Sequence, residues 1–212
     1  MSERLSKAPY DALVGHGYNI TLRSKQEVIN DSDHLSYESK IIGIAIGLLL
    51  SENFAEHLVL STGPTIKGIS ESLHMKEFIL RQFPHLSKFP IILEEESIDT
   101  AGNAEKSTKI VRGLGARDVA IISLRDHIIN AAKLYHRNGL TIAESGIIGA
   151  ENVIYERLLR KSKEDAEIFR RGFIAHQFLY GGKHKELARS VLLATIDKDG
   201  QKLNRITQIT RG

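Results

Sequence analysis

Five short apolar runs, each followed by a polar or glycine-bearing loop, constrain the fold of this chain more than any other feature. They are DALVGHG at 11–17, EHLVLSTG at 56–63, FPIILEEES at 89–97, DVAIISLRDH at 118–127 and LTIAES at 140–145. Each run is nearly continuously apolar and β-branched, which is typical of parallel strands that are covered on both faces. The sequence therefore predicts about five parallel strands.

Helical stretches separate these runs, at 36–54, 68–83, 101–112 and 126–137. The second stops before Pro84, and Gly113 and Gly115 close the third. Alternation of strands and helices implies βαβ units and an open sheet with helices on both faces. We therefore expect an α/β fold with an open, mostly parallel sheet.

The last third of the chain has a different pattern, which predicts a domain boundary near residue 150. Residues 1–150 carry the alternation, whereas 151–212 are expected to form a mainly helical extension that packs on this core. Residues 151–182 look helical and end at a double glycine. Residues 183–212 fit either a helix with a tail or two strands around the turn DKDG.

Composition restricts the possible classes of function. The chain has 212 residues, no cysteine and a formal charge of +3, with basic residues scattered among acidic ones. Disulfides and thiolate chemistry are excluded, and a nucleic-acid partner gains little support. The apolar run IIGIAIGLLL is too short for a membrane span, so it is a buried helix face or an interface. No export signal is visible, and we expect a cytoplasmic protein.

Polar side chains concentrate where the predicted strands end. If the strands are parallel, all these loops lie at the carboxyl edge of the sheet, where open α/β sheets bind ligands. We expect the ligand site there, among residues 94–103 and Gly15, His16, Gly17, Asn19, Ser61, Thr62, Gly63, Ser123, Arg125, Asp126, His127, Glu144 and Ser145.

The stretch EEESIDTAGNAEKS at 94–107 is the most polar of these strand exits. Thr100 is a plausible helix N-cap, with Asp99 as the alternative, and the free N–H groups of the first turn, up to Asn103, suit a phosphate or carboxylate. Glu94 and Glu96 alternate along the strand, so they are expected to share one side and to accept from ribose hydroxyls or hold a divalent metal. Ordinary capping explains the polar residues of 97–100 equally well.

The stretch SLRDHIINAAK at 123–133 is the second candidate. His127 and Asn130 share a helix face, and His127 could donate to a phosphate or shuttle a proton. A helix-start histidine satisfied by nearby backbone is the simpler interpretation from spacing alone. The first loop, GHGYNI, lacks the third glycine of the dinucleotide fingerprint, and neither a P-loop nor a zinc motif occurs.

Taken together, these stretches resemble the DUF218 family, the domain of unknown function numbered 218. The likeness rests on GHG after strand 1, on the turn at Ser61 to Gly63 with Glu71 in the next helix, and on the run ESIDTAGNA at 96–104, which carries Glu96, Ser97, Thr100, Asn103 and Ala104. A strand followed by Asp126 and His127 matches a fourth motif. The similarity covers about residues 10–145.

The resemblance implies a Rossmann-like fold and a polar pocket for an adenosyl ligand, S-adenosylmethionine in particular. The pocket residues that it implies are Ser61, Gly63, Glu71, Glu96, Ser97, Thr100, Asn103 and His127. The chain departs from the family at two positions. Asn130 stands where the family has an arginine, whose role Arg125 could take, and Pro64 stands where the family has a glycine. Relatives often carry a membrane anchor, which is not seen here.

These observations lead to two alternative functions. The first is binding of a small nucleotide-like or phosphate-bearing ligand at the carboxyl edge, with group transfer or hydrolysis if the protein is an enzyme. Glu71 or Glu96 would then act as acid/base or metal ligand, and His127 as proton shuttle. The second is a non-catalytic ligand-sensing or interaction protein that forms a homodimer through IIGIAIGLLL and the C-terminal third.

Overall fold

A computed structural model of the chain describes residues 7–17, 35–62 and 70–180. The described residues contain five strands, β1 (Tyr10–His16), β2 (Ala55–Ser61), β3 (Ile91–Glu94), β4 (Val119–Ser123) and β5 (Ile147–Gly149). All neighbouring strands are parallel, in the order β3-β2-β1-β4-β5. This order confirms the predicted open α/β sheet and is that of the first five strands of a Rossmann fold.

Six α-helices occur in the described residues. They are α1 (Tyr37–Ser51), α2 (Glu71–Gln82), α3 (Thr100–Gly113), α4 (Arg125–Arg137), α5 (Ala150–Lys161) and α6 (Lys163–Tyr180). Pro84–Lys88 and Glu144–Gly146 form short 3-10 helices. The first four helices lie within a few residues of their predicted positions, because each begins after a strand exit and ends at a glycine, a proline or a polar residue.

Two layers of helices cover the sheet. On one face, α3 and α4 pack together over a cluster that includes Val14 of β1, Ile121 of β4 and the buried Tyr135. On the other face, α1 packs against α2, and Gly15 lies close to Ile46 of α1. Covering both faces explains why the strands are apolar throughout rather than alternating with polar residues.

The helix α1 contains the apolar run that the sequence assigned to either a buried face or an interface. Every residue from Ile41 to Leu50 is buried within the single chain. Gly43 and Gly47 face Phe78 and Phe83, and a Cβ at Gly47 would lie 2.2 Å from the Phe83 ring. The run is therefore core, and the expectation that it forms a homodimer surface is wrong.

The fifth strand was predicted at 140–145, and this placement is wrong. The strand β5 follows at 147–149, so Glu144 and Ser145 precede it rather than follow it. Ser145 accepts a hydrogen bond from Tyr10 at the start of β1, which places it at the amino edge of the sheet. Leu140 and Ile142 are buried in the α3–α4 cluster, so the run is apolar because it packs in the core.

The chain divides into two compact units, Met1–Ala150 and Glu151–Gly212. In the second unit, the predicted single helical stretch is broken at Ser162, whose Oγ accepts from the N–H of Asp165 and caps α6. Residues 183–212 lie outside the described residues. No helix in the described part has the length and apolar character needed to cross a bilayer.

Candidate functional site

A cleft opens at the carboxyl edge of the sheet, where the strand order reverses between β1 and β4. Its empty space is about 280 Å3 when the open solvent at its mouth is included. Crevices of this kind at the switch point are where open α/β sheets bind ligands. The residues that line it are Gly17, Thr62, Glu71, Ile98, Asp99, Thr100, Asn103 and His127.

Six of the predicted site residues line this cleft. Gly17 and Thr62 directly follow β1 and β2, and Glu71 is the first residue of α2. Thr100 and Asn103 belong to the first turn of α3, and His127 to the first turn of α4. Strands that run in one direction bring these residues together from positions up to 110 apart in the sequence.

Other predicted residues lie elsewhere. Gly15 is within β1 and faces α1, where a Cβ would be 2.6 Å from Ile46 Cδ1, so its role is packing. Arg125 and Asn130 are exposed on α4 and do not line the cleft. Asn19 and Gly63 lie outside the described residues.

Glu96 does not share a side with Glu94, contrary to the expectation from their spacing. The strand ends at Glu94, which is 4% exposed, whereas the side chain of Glu96 is 82% exposed and pairs with Lys106 at 2.6 Å. This ion pair lowers the pKa of Glu96. Alternation holds only while the backbone stays extended in the sheet, so it does not apply past the end of β3.

Glu94 anchors the loop between β3 and α3. Its Oε1 accepts from the backbone N–H of Glu96 and Ser97, at 2.9 and 3.0 Å. Its Oε2 accepts from Ser61 Oγ at 2.7 Å and from Ser97 Oγ. Ser97 Oγ also contacts Asn103 Oδ1. Ser61 and Ser97 thus shape the cleft wall from behind, and four hydrogen bonds to the Glu94 carboxylate hold this network in place.

Ser123 also supports the cleft from behind rather than lining it. It is the last residue of β4, is fully buried, and its Oγ donates to the backbone oxygen of His16 at 3.2 Å. This bond ties the carboxyl ends of β1 and β4 together at the switch point. The predicted ligand-binding residues Ser61, Ser97 and Ser123 are therefore held in the supporting shell around the cleft.

Glu71 is the buried carboxyl of the cleft and is 3% exposed. Its pKa is raised to about 7, mainly by burial; a hydrogen bond from Ser39 Oγ to Oε1 opposes the rise, and a nearby Glu38 adds to it. A Cβ at Gly17 would lie 2.7 Å from Glu71 Oε2 and 2.3 Å from Thr62 Cγ2. Gly17 is therefore required for space, since any side chain there would fill the deep end of the cleft.

Thr62 carries the clearest sign of an incomplete site. Its side chain is 3% exposed and lines the cleft, and its Oγ1 has no hydrogen-bond partner in the part of the chain that the structure describes. Buried hydroxyl groups nearly always have a partner, because leaving one unpaired costs about 1–3 kcal/mol. A ligand atom or a water in the cleft would supply the missing bond.

His127 is half-buried, and burial lowers its pKa, although Asp126 opposes the change. Its ring lies 6.3 Å from that of His16. His16 is fully buried, and burial together with His127 lowers its pKa to about 3. The Nε2 of His16 is 2.5 Å from the hydroxyl of Tyr135. Both imidazoles are therefore neutral at neutral pH, and His127 can accept a proton from a ligand.

The helix α3 is capped by Asp99, the alternative considered in the sequence, rather than by Thr100. Asp99 Oδ1 accepts from the N–H of Gly102 at 2.7 Å. This cap places a carboxylate at the mouth of the cleft. Within the described residues, no group of three or more His, Asp or Glu side chains is arranged to hold a metal ion.

The sequence pointed to some of the remaining cleft residues and missed others. Ile98 is 78% exposed and lines the mouth, although nothing in the sequence distinguishes it from a core residue. His16 was expected in the site as a residue at the exit of β1, but it is fully buried and does not line the cleft; its ring lies behind the lining, 6.3 Å from that of His127. Glu94 is signalled as the first polar residue after an apolar strand.

Comparisons with known proteins leave the chain without a demonstrated relative. A scan against protein-family models finds no match, and searches of curated proteins and of solved structures find none either.

Proposed function

We propose that the chain binds a small nucleotide-like ligand in the cleft at the carboxyl edge of its sheet. The observation that carries this proposal is Thr62, which lines the cleft and whose buried hydroxyl has no partner among the described residues. The cleft lies at the β1/β4 switch point, which is where Rossmann-like sheets hold nucleotides. S-adenosylmethionine and other adenosyl compounds are the candidates that the DUF218 resemblance adds.

The cleft suits a ligand that is polar at one end and apolar at the other. Thr62, Glu71 and Asn103 provide hydrogen-bonding groups at the wall, and Ile98 provides an exposed apolar surface at the mouth. Pockets that bind cofactors combine apolar contact area with a few placed polar groups in this way. A planar base packed on Ile98, with the sugar directed toward Glu71, satisfies both ends.

The chemistry that the cleft supports is group transfer or hydrolysis by acid/base catalysis. An efficient acid/base group has a pKa near the working pH, and burial places that of Glu71 at about 7. His127 is neutral and lines the same cleft, so it can take a proton from the attacking hydroxyl or water while protonated Glu71 gives one to the leaving group. Glu96, which is exposed and paired with Lys106, has neither property.

Isothermal titration with adenosine, AMP and S-adenosylmethionine tests the proposal. At least one of these compounds is expected to bind, and Thr62→Val should weaken it by about tenfold, the value of one hydrogen bond to a charged or buried polar group. Thr108→Val is the matched control, because Thr108 is equally buried but its hydroxyl is already bonded to the Ala104 carbonyl.

The control should bind as the wild type does. Absence of binding by all three compounds at millimolar concentration, or equal binding by wild type and Thr62→Val, would contradict the proposal. An assay for methyl transfer and for phosphate release in the presence of any binder then separates an enzyme from a ligand sensor. Glu71→Gln should abolish turnover in the first case and leave the fold intact in both.

A further inference from the structure

We propose that the deep end of this cleft accepts a positively charged hydrogen-bond donor, a primary ammonium group, in preference to a phosphate. The deep end is the part bordered by Gly17, Thr62 and Glu71. This inference rests on the proposed function and specifies the chemistry of its ligand. It replaces the phosphate that the sequence suggested for this edge.

The charges around the deep end favour a cation. Glu71 and Asp99 bring two carboxyl groups to the cleft, and no described lining residue is lysine or arginine. Glu38 lies close enough to Glu71 to raise its pKa by Coulomb repulsion. The one basic side chain among the described lining residues, His127, has its pKa lowered by burial and stays neutral. A phosphate would therefore meet like charges, with no counterion among the described lining residues.

Helix N-termini do not reverse this balance. The helices α2, α3 and α4 all begin at this edge, and each positive end is equivalent to roughly half a unit charge. Each already carries its own carboxyl group in or beside its first turn, namely Glu71, Asp99 and Asp126. Asp99 also occupies the N–H of Gly102, which an incoming anion would need. The dipoles are thus largely offset before a ligand arrives.

The charged group that borders the deep end, the Glu71 carboxylate, is an acceptor, whereas the Thr62 hydroxyl can both donate and accept. Glu71 Oε1 is occupied by Ser39, which leaves Oε2 next to Gly17. The methyl group of Thr62 borders the same space, and the buried hydroxyl of that side chain has no partner among the described residues. An ammonium has three N–H donors and no acceptor, so it can donate to Glu71 Oε2. A phosphate offers only acceptors and would leave the Glu71 oxygen unpaired.

Three nucleosides that differ at one position test this inference: 5′-amino-5′-deoxyadenosine, adenosine and AMP. Their affinities should be measured by isothermal titration at pH 7.5 and low ionic strength. The amine is expected to bind about tenfold more tightly than adenosine, as a charge-assisted hydrogen bond predicts, and AMP more weakly than adenosine. An order with AMP first would overturn the inference while leaving the proposed function intact.

Variants identify the side chain responsible. Glu71→Gln keeps the shape and removes the charge, so the amine should lose its advantage and bind within about twofold of adenosine. Asp99→Asn is a second variant, since asparagine caps helices as well as aspartate, and it should reduce the advantage by about threefold. Glu105→Gln is the control, because Glu105 is exposed on α3 and pairs with Lys109. Retained amine preference in Glu71→Gln would overturn the inference.

A pH series adds an independent readout. Glu38 from α1 acts on the pKa of Glu71, and Asp99 before α3 and His127 from α4 line the same cleft. Because Glu71 must be ionised to hold the ammonium, amine affinity should rise as pH increases from 6 to 8 in wild type and stay flat in Glu71→Gln. Adenosine affinity should change little.

Small probes separate this inference from the proposed function if no nucleoside binds. Ethylammonium and inorganic phosphate should then be compared by thermal unfolding of wild type and Glu71→Gln. Stabilisation by ethylammonium in wild type only would retain the inference and reject the nucleotide. Stabilisation by phosphate alone, or by neither compound, would reject both.

Discussion

At the scale of the residue, burial decides the chemistry of Glu71. A carboxyl group that is 3% exposed, with Glu38 nearby, holds its proton to a higher pH than the same group in water. Burial also favours the neutral form of His16, but because histidine is a base, this lowers its pKa. Two titratable groups on neighbouring strand exits are therefore shifted in opposite directions.

The shifted pKa of Glu71 predicts a pH-dependent free energy of unfolding. Its pKa is about 7 when folded and about 4.5 when unfolded, so between these values the folded state binds more protons. The stabilising contribution is complete below pH 4.5 and is lost as pH rises to 7, by roughly 3 kcal/mol in total. The difference in unfolding free energy between wild type and Glu71→Gln should change by that amount across this window.

The comparison must use the difference between the two proteins, because the histidines act in the opposite direction. The unfolded chain binds more protons than the folded one as pH falls from 6.5 toward the folded pKa of His16, at about 3. The unfolding free energy of the Glu71→Gln variant, taken by itself, should therefore increase as pH rises from 4.5 to 6.5. Urea titrations at half-unit steps measure both curves, and parallel curves would disprove the shift of Glu71.

Thr62→Val tests whether the orphaned hydroxyl has a cost in the free protein. Replacing an unpaired buried hydroxyl with a methyl group should leave the unfolding free energy unchanged or raise it by about 1 kcal/mol. Thr108→Val should not give this gain, since that hydroxyl has a partner in the Ala104 carbonyl. A loss of more than about 1 kcal/mol in Thr62→Val, measured by urea unfolding, would show that the hydroxyl is satisfied in solution.

At the scale of the element, helix positions follow from local signals that the sequence displays. Ser36 caps α1 and Ser70 caps α2 by accepting from N–H groups three residues on, and Pro84 ends the second helix. The position of the last strand does not follow from such local signals. The strand β5 has only three residues, and the run before it is apolar because Leu140 and Ile142 pack in the core.

Two helical glycines give a matched test of packing against propensity. A Cβ at Gly47 of α1 would lie 2.2 Å from the Phe83 ring, so Gly47→Ala should cost about 1–3 kcal/mol of stability through overpacking. A Cβ at Gly113 of α3 would meet nothing within 4 Å, so Gly113→Ala should add about 0.5–1 kcal/mol. Thermal or urea unfolding measures both, and changes of equal sign would contradict the packing of α1.

At the scale of the whole molecule, the first unit contains all five described strands and every described residue that lines the cleft. A fragment of residues 1–150 is therefore predicted to unfold cooperatively and to bind the adenosine probe within about threefold of the full chain. Circular dichroism and isothermal titration check this. A fragment that is folded but does not bind would assign a role in binding to residues 151–212.

The sequence by itself determined the alternation of strands and helices, their parallel direction and the edge of the sheet where polar residues collect. These follow from local periodicity, capping and turn residues, which act over a few positions. It predicted six residues of the cleft lining, such as Glu71 and His127, because parallel strands leave no other place for their exits.

Only the tertiary structure decided which of these polar residues face the ligand and in which charge state. Gly15 and Gly17 are two positions apart, yet one is packed under α1 and the other borders the cleft. Glu94 and Glu96 differ in the same way, with one buried in a network and the other in solvent. Exposure, and with it each pKa, depends on neighbours that are distant in sequence, so no local pattern could contain it.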